Sequence, residues 1–211
     1  QFKKAGITSY EEMFKYLYPP YSPIFAEERI SKLSLKSEEA QQKGNIKKVI
    51  KYEKERASIE EKHGILDELT FSIIASNYQL INLNDEAKFY QLKAIDIAEK
   101  KYGPNSLNVA NLLFNLGNMY YEKEYIFKEL NYNKLEDIYK RILKINLDIL
   151  GESDIYTAQA YNSLAGFYSN TSRYIDSIKY RESALKIVEN IDGDIDFFQP
   201  VNLYRAFLYS Q

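Results

Sequence analysis

The chain has 211 residues, 45% of them hydrophobic, so it carries enough apolar material for a folded core and is not a disordered segment. Its 28 basic and 30 acidic residues leave a net charge of −2, which supplies no field to draw in nucleic acid or an anionic membrane surface. Cysteine is absent, which excludes disulfides, thiolate metal sites and cysteine catalysis in this segment but does not fix a compartment.

In chain order, residues 1–22 read as a lead-in. Ser9-Tyr-Glu-Glu12 fits a capping box, in which hydroxyl and carboxylate each satisfy a free backbone N–H. A short helix through Met13, Phe14 and Leu17 should follow and end at Pro19 and Pro20. Ser22-Pro23 suits a new helix start, with proline in the first turn. From there helical spacing alternates with breakers at Gly44-Asn45, Gly64, Asn82–Asp85, Gly103-Pro104, Asn131–Asn133, Gly151, Asn170–Ser172 and Gly193. Strand alternation is not sustained anywhere. The expectation is an all-α solenoid over residues 23–211, with helical hairpins at about 24–63, 66–102, 105–150 and 153–191, and the start of another unit at 197–211.

Three of these units share a pattern. Ile74-Ala75-x-x-Tyr78, Leu116-Gly117-x-x-Tyr120 and Leu164-Ala165-x-x-Tyr168 each set a small residue after an apolar one, with Tyr three positions later. Ile74 to Leu116 is 42 residues and Leu116 to Leu164 is 48. Downstream, Ala94 to Ile142 is 48 and Ile142 to Ala184 is 42. One period of 42 with six extra residues in the middle unit, between Tyr120 and Tyr139, accounts for all four intervals. A fixed period of this size marks a repeat array. The extra residues should add about 1.5 turns to the end of the first helix, as a length variation or as a knob on a binding face. Paired helices approach within about 8–10 Å, so small side chains belong at the crossing. Ala75, Gly117 and Ala165 supply them on the first helices, and Ala87, Ala94, Ser177 and Ala184 on the second. Tyr78, Tyr120 and Tyr168 then fill the volume between hairpins.

These runs look like the tetratricopeptide repeat, whose usual period is roughly 34 residues. The 42-residue version, with a Gly-containing turn after the second helix (Gly103-Pro104-Asn105 and Gly151-Glu152-Ser153-Asp154), is similar to the longer repeats of kinesin light chain. Similar repeats occur in many bacterial proteins, including ones that carry a caspase-like protease domain further along. The likeness covers residues 66–191. Over 24–65 it rests on the spacing of Leu33, Leu35, Ala40, Ile50, Tyr52, Ala57 and Ile59. Leu135 and Ile142 stand where the family usually has alanines, which should open the middle crossing slightly. HEAT-type repeats have a similar length, but the small-residue and Tyr positions favour the tetratricopeptide pattern.

The resemblance implies a right-handed superhelical solenoid of antiparallel hairpins whose first helices line a concave groove. Carried over position by position, the groove on the first of these helices is Ser72, Ser76 and Gln79. On the next it is Asn111, Phe114, Asn115, Asn118 and Tyr121, and on the third Gln159, Asn162, Ser163 and Ser169. Asn111, Asn115 and Asn118 are spaced four and three apart and share a face. Each carboxamide offers both donor and acceptor, which suits the backbone of an extended peptide. Lys and Arg are missing from this set, so a clamp on a C-terminal carboxylate is not expected.

Catalytic patterns are not found. The one histidine, His63, precedes Gly64 and reads as a helix C-terminal cation. The glycines are isolated at turns and form no phosphate cradle. Asp192-Gly-Asp194-Ile-Asp196 resembles the opening of a calcium loop, but Leu203 occupies the position of its last ligand, so a plain turn is the better reading. The 20 tyrosines fall mainly at packing positions, and without a basic surface base stacking lacks its main driving term. The expected function is a non-enzymatic scaffold for a protein or extended peptide, with no nucleic acid, membrane insertion, metal or cofactor. The alternative is a sensor segment of a larger enzyme such as a caspase-like protease. Gln1 in place of Met indicates a trimmed start, and Ala206-Phe-Leu-Tyr209 reads as the inside of another first helix. The polypeptide is therefore expected to continue, and an uncapped C-terminal end could support self-association.

Overall fold

The computed structural model describes residues 9, 13, 23–121 and 129–190. Eight helices and no strand are found among them. They are α1 (Pro23–Gln42), α2 (Ile46–His63), α3 (Glu68–Leu80), α4 (Asn84–Tyr102), α5 (Leu107–Tyr121), α6 (Glu129–Leu150), α7 (Ile155–Asn170) and α8 (Tyr174–Asn190). The pairs α1·α2, α3·α4, α5·α6 and α7·α8 form antiparallel hairpins, the all-α arrangement that the repeat predicts. The chain divides into two compact units, residues 1–97 and 98–211. Glu12 of the capping box, residues 122–128 of the stretch that holds the insertion, the Asp192–Asp196 turn and the final helix from 197 lie outside the described residues.

Helix ends are written in the local chemistry. Asn45, Asp67 and Asp154 each accept a backbone N–H of the following turn, from Lys48, Leu69 and Tyr156. At the hairpin tips Gly44, Asn82 and Ser172 all take positive φ. The residue after each donates its N–H to a carbonyl five positions back: Asn45 to Ala40 at 2.8 Å, Leu83 to Tyr78 at 3.0 Å, Arg173 to Tyr168 at 2.8 Å. This is the left-handed cap that satisfies the last free carbonyls of a helix.

One breaker does not break. Asn131–Asn133 lies inside α6, which starts at Glu129. Asparagine's helix penalty is under about 1 kcal/mol, and α6 buries Leu135, Tyr139, Ile142 and Ile145 downstream of it. At least part of the extra length of this unit therefore lies at the start of the second helix.

The first unit packs on Phe71, Ile74 and Ala75 of α3 against Ala87 and Ala94 of α4, each 1% exposed or less. Tyr90 on α4 stacks on Tyr78 of α3, with ring centroids 5.5 Å apart. The second unit repeats the arrangement 90 residues later, where Tyr180 of α8 stacks on Tyr168 of α7 at 5.3 Å. Tyr78 and Tyr168 thus pack within their hairpins rather than only between them. Tyr168 also reaches the preceding hairpin, where its hydroxyl donates to Glu136 Oε1 at 2.8 Å. Arg141 of α6 holds the turn before α5, through Glu99 at 2.6 Å and the Pro104 carbonyl at 2.5 Å.

In the middle hairpin the second helix carries a large residue where its neighbours carry Gln91 and Arg181. Tyr139 is 3% exposed and lies against Gly117. A Cβ at position 117 would stand 2.7 Å from Tyr139 Cε1. Glycine at this crossing is therefore the counterpart of the tyrosine opposite it.

Candidate binding groove

Within the second unit α5 and α7 supply most of the residues that line two clefts, and α6 and α8 supply the rest. Buried Leu112, Leu113 and Leu116 turn one side of α5 into the core. Asn111, Asn115 and Asn118 are exposed on another side, as their spacing predicts.

Two clefts follow this line. The upper one has a volume of about 290 Å³ and is lined by Asn111, Phe114 and Asn115 of α5, Tyr156 and Gln159 of α7, and Ile142 and Asn146 of α6. Asn146 is fixed there, since its amide donates to the Tyr156 carbonyl at 2.9 Å. Ile142, one of the two large residues at alanine positions, forms part of this lining. The lower cleft, about 220 Å³, is lined by Asn118 and Tyr121 of α5, Asn162, Ser163 and Gly166 of α7, Tyr139 of α6 and Arg181 of α8. Tyr121 leans across it: its hydroxyl accepts a hydrogen bond from Asn170. Burial, and then the adjacent Tyr121, push the Tyr139 hydroxyl well above the usual phenol range, so it stays a neutral donor at any working pH.

Eight of the twelve expected groove positions therefore come together on α5 and α7. Ser169 is exposed and lies outside both cleft linings. Ser72, Ser76 and Gln79 sit on α3 in the first unit. There the Ser76 hydroxyl donates to the Ser72 carbonyl at 3.0 Å, and Ser72 lies 3.5 Å from Gln91 Oε1. Ser163 likewise donates to its own helix, at the Gln159 carbonyl, which leaves its oxygen lone pairs as the free function.

One cation outside the expected positions lines the lower cleft. It is Arg181, whose Nη1 is buried without a hydrogen-bond partner. Asn162 Oδ1, in the same cleft, is also buried and unpartnered. Sequence reasoning missed Arg181 because it sought groove residues on first helices alone. The signal was the repeat itself: 181 is the position of Tyr139 one unit on, and Tyr139 faces the first helix of its own hairpin.

Among the described residues no group of His, Asp or Glu is arranged to hold a metal ion. None of the described helices is long and apolar enough to cross a membrane. His63 ends α2 just before the left-handed Gly64 cap.

The fold is shared with solved structures. A Podosopora anserina protein assigned as a kinesin light chain with nearly identical TPR-like repeats is 15% identical, with a TM-score of 0.63 over 85% of this chain and 84% of that one. BtubC (BKLC) from P. vanneervenii is 18% identical, with a TM-score of 0.55 over 88% of this chain and 83% of that one. At these identities the likeness establishes a helical-repeat, TPR-like fold. No family model and no curated protein matches the sequence.

Proposed function

We propose that the chain is a non-catalytic scaffold built from tetratricopeptide repeats of the longer, kinesin-light-chain type, and that it holds an extended peptide in the trough between α5 and α7. The observation that carries this reading is the double cleft. Its walls offer carboxamides at Asn111, Asn115, Asn118, Gln159 and Asn162, and aromatic area at Phe114, Tyr121 and Tyr156. Carboxamides can pair with both the N–H and the C=O of a peptide backbone, and aromatic surface supplies most of the energy in such contacts. From Asn111 to Tyr121 the wall runs about 15 Å, at a rise of 1.5 Å per residue. An extended strand covers that length in roughly five residues. The 42-residue period and the likeness of fold support the assignment of repeat type.

Selection of random extended peptides on the immobilised full chain tests the reading. Asn115→Ala combined with Asn162→Ala should weaken retention of the selected peptides about tenfold, the loss of two modest hydrogen bonds. A double variant that folds and retains them unchanged, or a selection that enriches nothing, would contradict it.

A further inference from the structure

The net charge of −2 conceals a local excess on α2. Residues 43–52 hold four lysines and no acidic residue. Lys47, Lys51 and Lys54 are spaced four and three apart and are exposed on one side of the helix, with Lys48 exposed beside them. Val49, Ile50, Glu53 and Ala57 turn the other side into the core. Among the described residues Lys47, Lys48 and Lys51 take part in no ion pair, and the exposed carboxylate next in line, Glu55, is held by Arg29 of α1 at 3.3 Å. Like charges four apart weaken a helix, so the row adds nothing to the stability of α2. Alongside it α4 presents Phe89 and Leu92, 60% and 49% exposed and three apart, on the side opposite buried Ala87, Gln91 and Ala94. Two contacts join the helices: Lys93 of α4 pairs with Glu61 of α2, and Lys54 Nζ lies 5.9 Å from the centroid of the Tyr90 ring. Tyr90 in turn meets Phe89 edge to face at 5.2 Å. The lysine row and the apolar pair are therefore parts of one surface.

We propose that this surface docks an acidic amphipathic helix of a partner protein, whose carboxylates meet Lys47, Lys48 and Lys51 while its apolar side chains cover Phe89 and Leu92. Charge complementarity sets the sign of the partner, and the exposed aromatic supplies the anchor. The acidic and apolar demands lie side by side, on neighbouring helices. A helix presents two adjacent stripes at once, whereas an extended strand sends successive side chains to opposite faces and meets a surface with one set only. From Lys47 to Lys54 the row runs about 10 Å, at a rise of 1.5 Å per residue, which two turns of a partner helix match. An anionic lipid surface is a worse fit. Asp85, Glu86 and Asp96 are exposed on α4 around Phe89 and Leu92 and would be pressed against phosphates, where a single helix can set a polar side chain instead. The surface belongs to α2 and α4 and the two clefts to α5–α8, so the inference does not depend on the peptide trough.

The probe is a fluorescent, N-acetylated, C-amidated peptide of about 18 residues, long enough to hold a helix, with Glu on one stripe, Leu on the adjacent stripe and Ala elsewhere. Two companions replace every Glu by Gln or every Leu by Ala. Anisotropy on the full chain should show the parent bound about tenfold tighter than either companion, and its advantage over the Gln peptide should shrink as salt is raised. Lys47→Gln combined with Lys51→Gln should weaken binding of the parent roughly fivefold, and Phe89→Ala roughly tenfold. All three side chains are exposed, so these variants keep the fold, which circular dichroism checks. Asn115→Ala combined with Asn162→Ala should leave binding of the parent unchanged. Failure of the parent to bind, equal binding of the Gln companion, or parent binding that the lysine and Phe89 variants leave untouched overturns the proposal. Loss of parent binding in the Asn115 and Asn162 variant gives the peptide to the trough and overturns the α2–α4 surface. Co-sedimentation with vesicles of phosphatidylserine and phosphatidylcholine that the lysine variant abolishes overturns the choice of a protein partner.

Discussion

The contact of Gly117 with Tyr139 sets how closely the middle hairpin closes. In isolation Gly→Ala in a helix gains about 1 kcal/mol. Here the added methyl would sit 2.7 Å from a ring carbon of a buried tyrosine, closer than real Cβ atoms come to a neighbour. Overpacking of this kind costs about 1–3 kcal/mol. Gly117→Ala should therefore destabilise the protein in urea unfolding, while the same substitution in a Tyr139→Leu background should stabilise it. A stabilising Gly117→Ala on its own would show that the ring is free to move. The small residue was legible from the repeat, but its partner was not. The pattern marks where a crossing is tight without saying which side chain across it is large.

Among the elements, α2 shows how charge is buried. Arg56 serves three carboxylates: Glu60 at 2.8 Å, Asp67 at 2.7 Å and Glu53 at 3.6 Å. Glu53 and Glu60 are only 3% and 2% exposed, and each keeps one buried oxygen without a hydrogen bond. Burial raises both carboxyl groups above their ordinary value of 4.5, and Ser37 at Glu53, Thr70 and Arg56 at Glu60 only partly oppose it. A carboxyl raised in the native state holds its proton where the unfolded chain has released it. Its contribution to stability is thus greatest below the unfolded value and is lost as pH rises through the native one. Glu53→Gln should raise stability by roughly 1 kcal/mol at pH 7, since Arg56 keeps two partners. The advantage should vanish near pH 4. A loss of stability at pH 7 would mean that the Arg56–Glu53 contact is net favourable.

The elements were also the most legible part of the sequence. Apolar spacing with glycine and Asn/Asp punctuation marks α1–α8, because caps are local chemistry that a short stretch of chain specifies. Asn131–Asn133 misled because a weak local preference yields to the buried face of Leu135, Tyr139 and Ile142 that follows it. The stacked pairs Tyr78–Tyr90 and Tyr168–Tyr180 needed coordinates, since the second tyrosine of each lies outside the three-residue motif.

For the whole molecule, helical spacing led to the all-α class and the resemblance of the repeat motifs to the tetratricopeptide repeat implied a TPR-like fold, with the similarity to solved structures at 15–18% identity supporting the fold alone. The linings of the two clefts were half legible. Residues on α5 and α7 follow from counting along first helices, while the rest, including Arg181 and Asn146, come from second helices that the count ignored. The most direct test of the account is a titration of the full chain, uniformly labelled with ¹⁵N, by a selected peptide, read on the side-chain amide signals of its Asn and Gln residues. The signals of Asn111, Asn115, Asn118, Gln159 and Asn162 should shift together in a saturable manner, while Asn190 at the end of α8 stays still. Saturable binding that leaves those five unmoved would contradict a peptide-holding trough between α5 and α7.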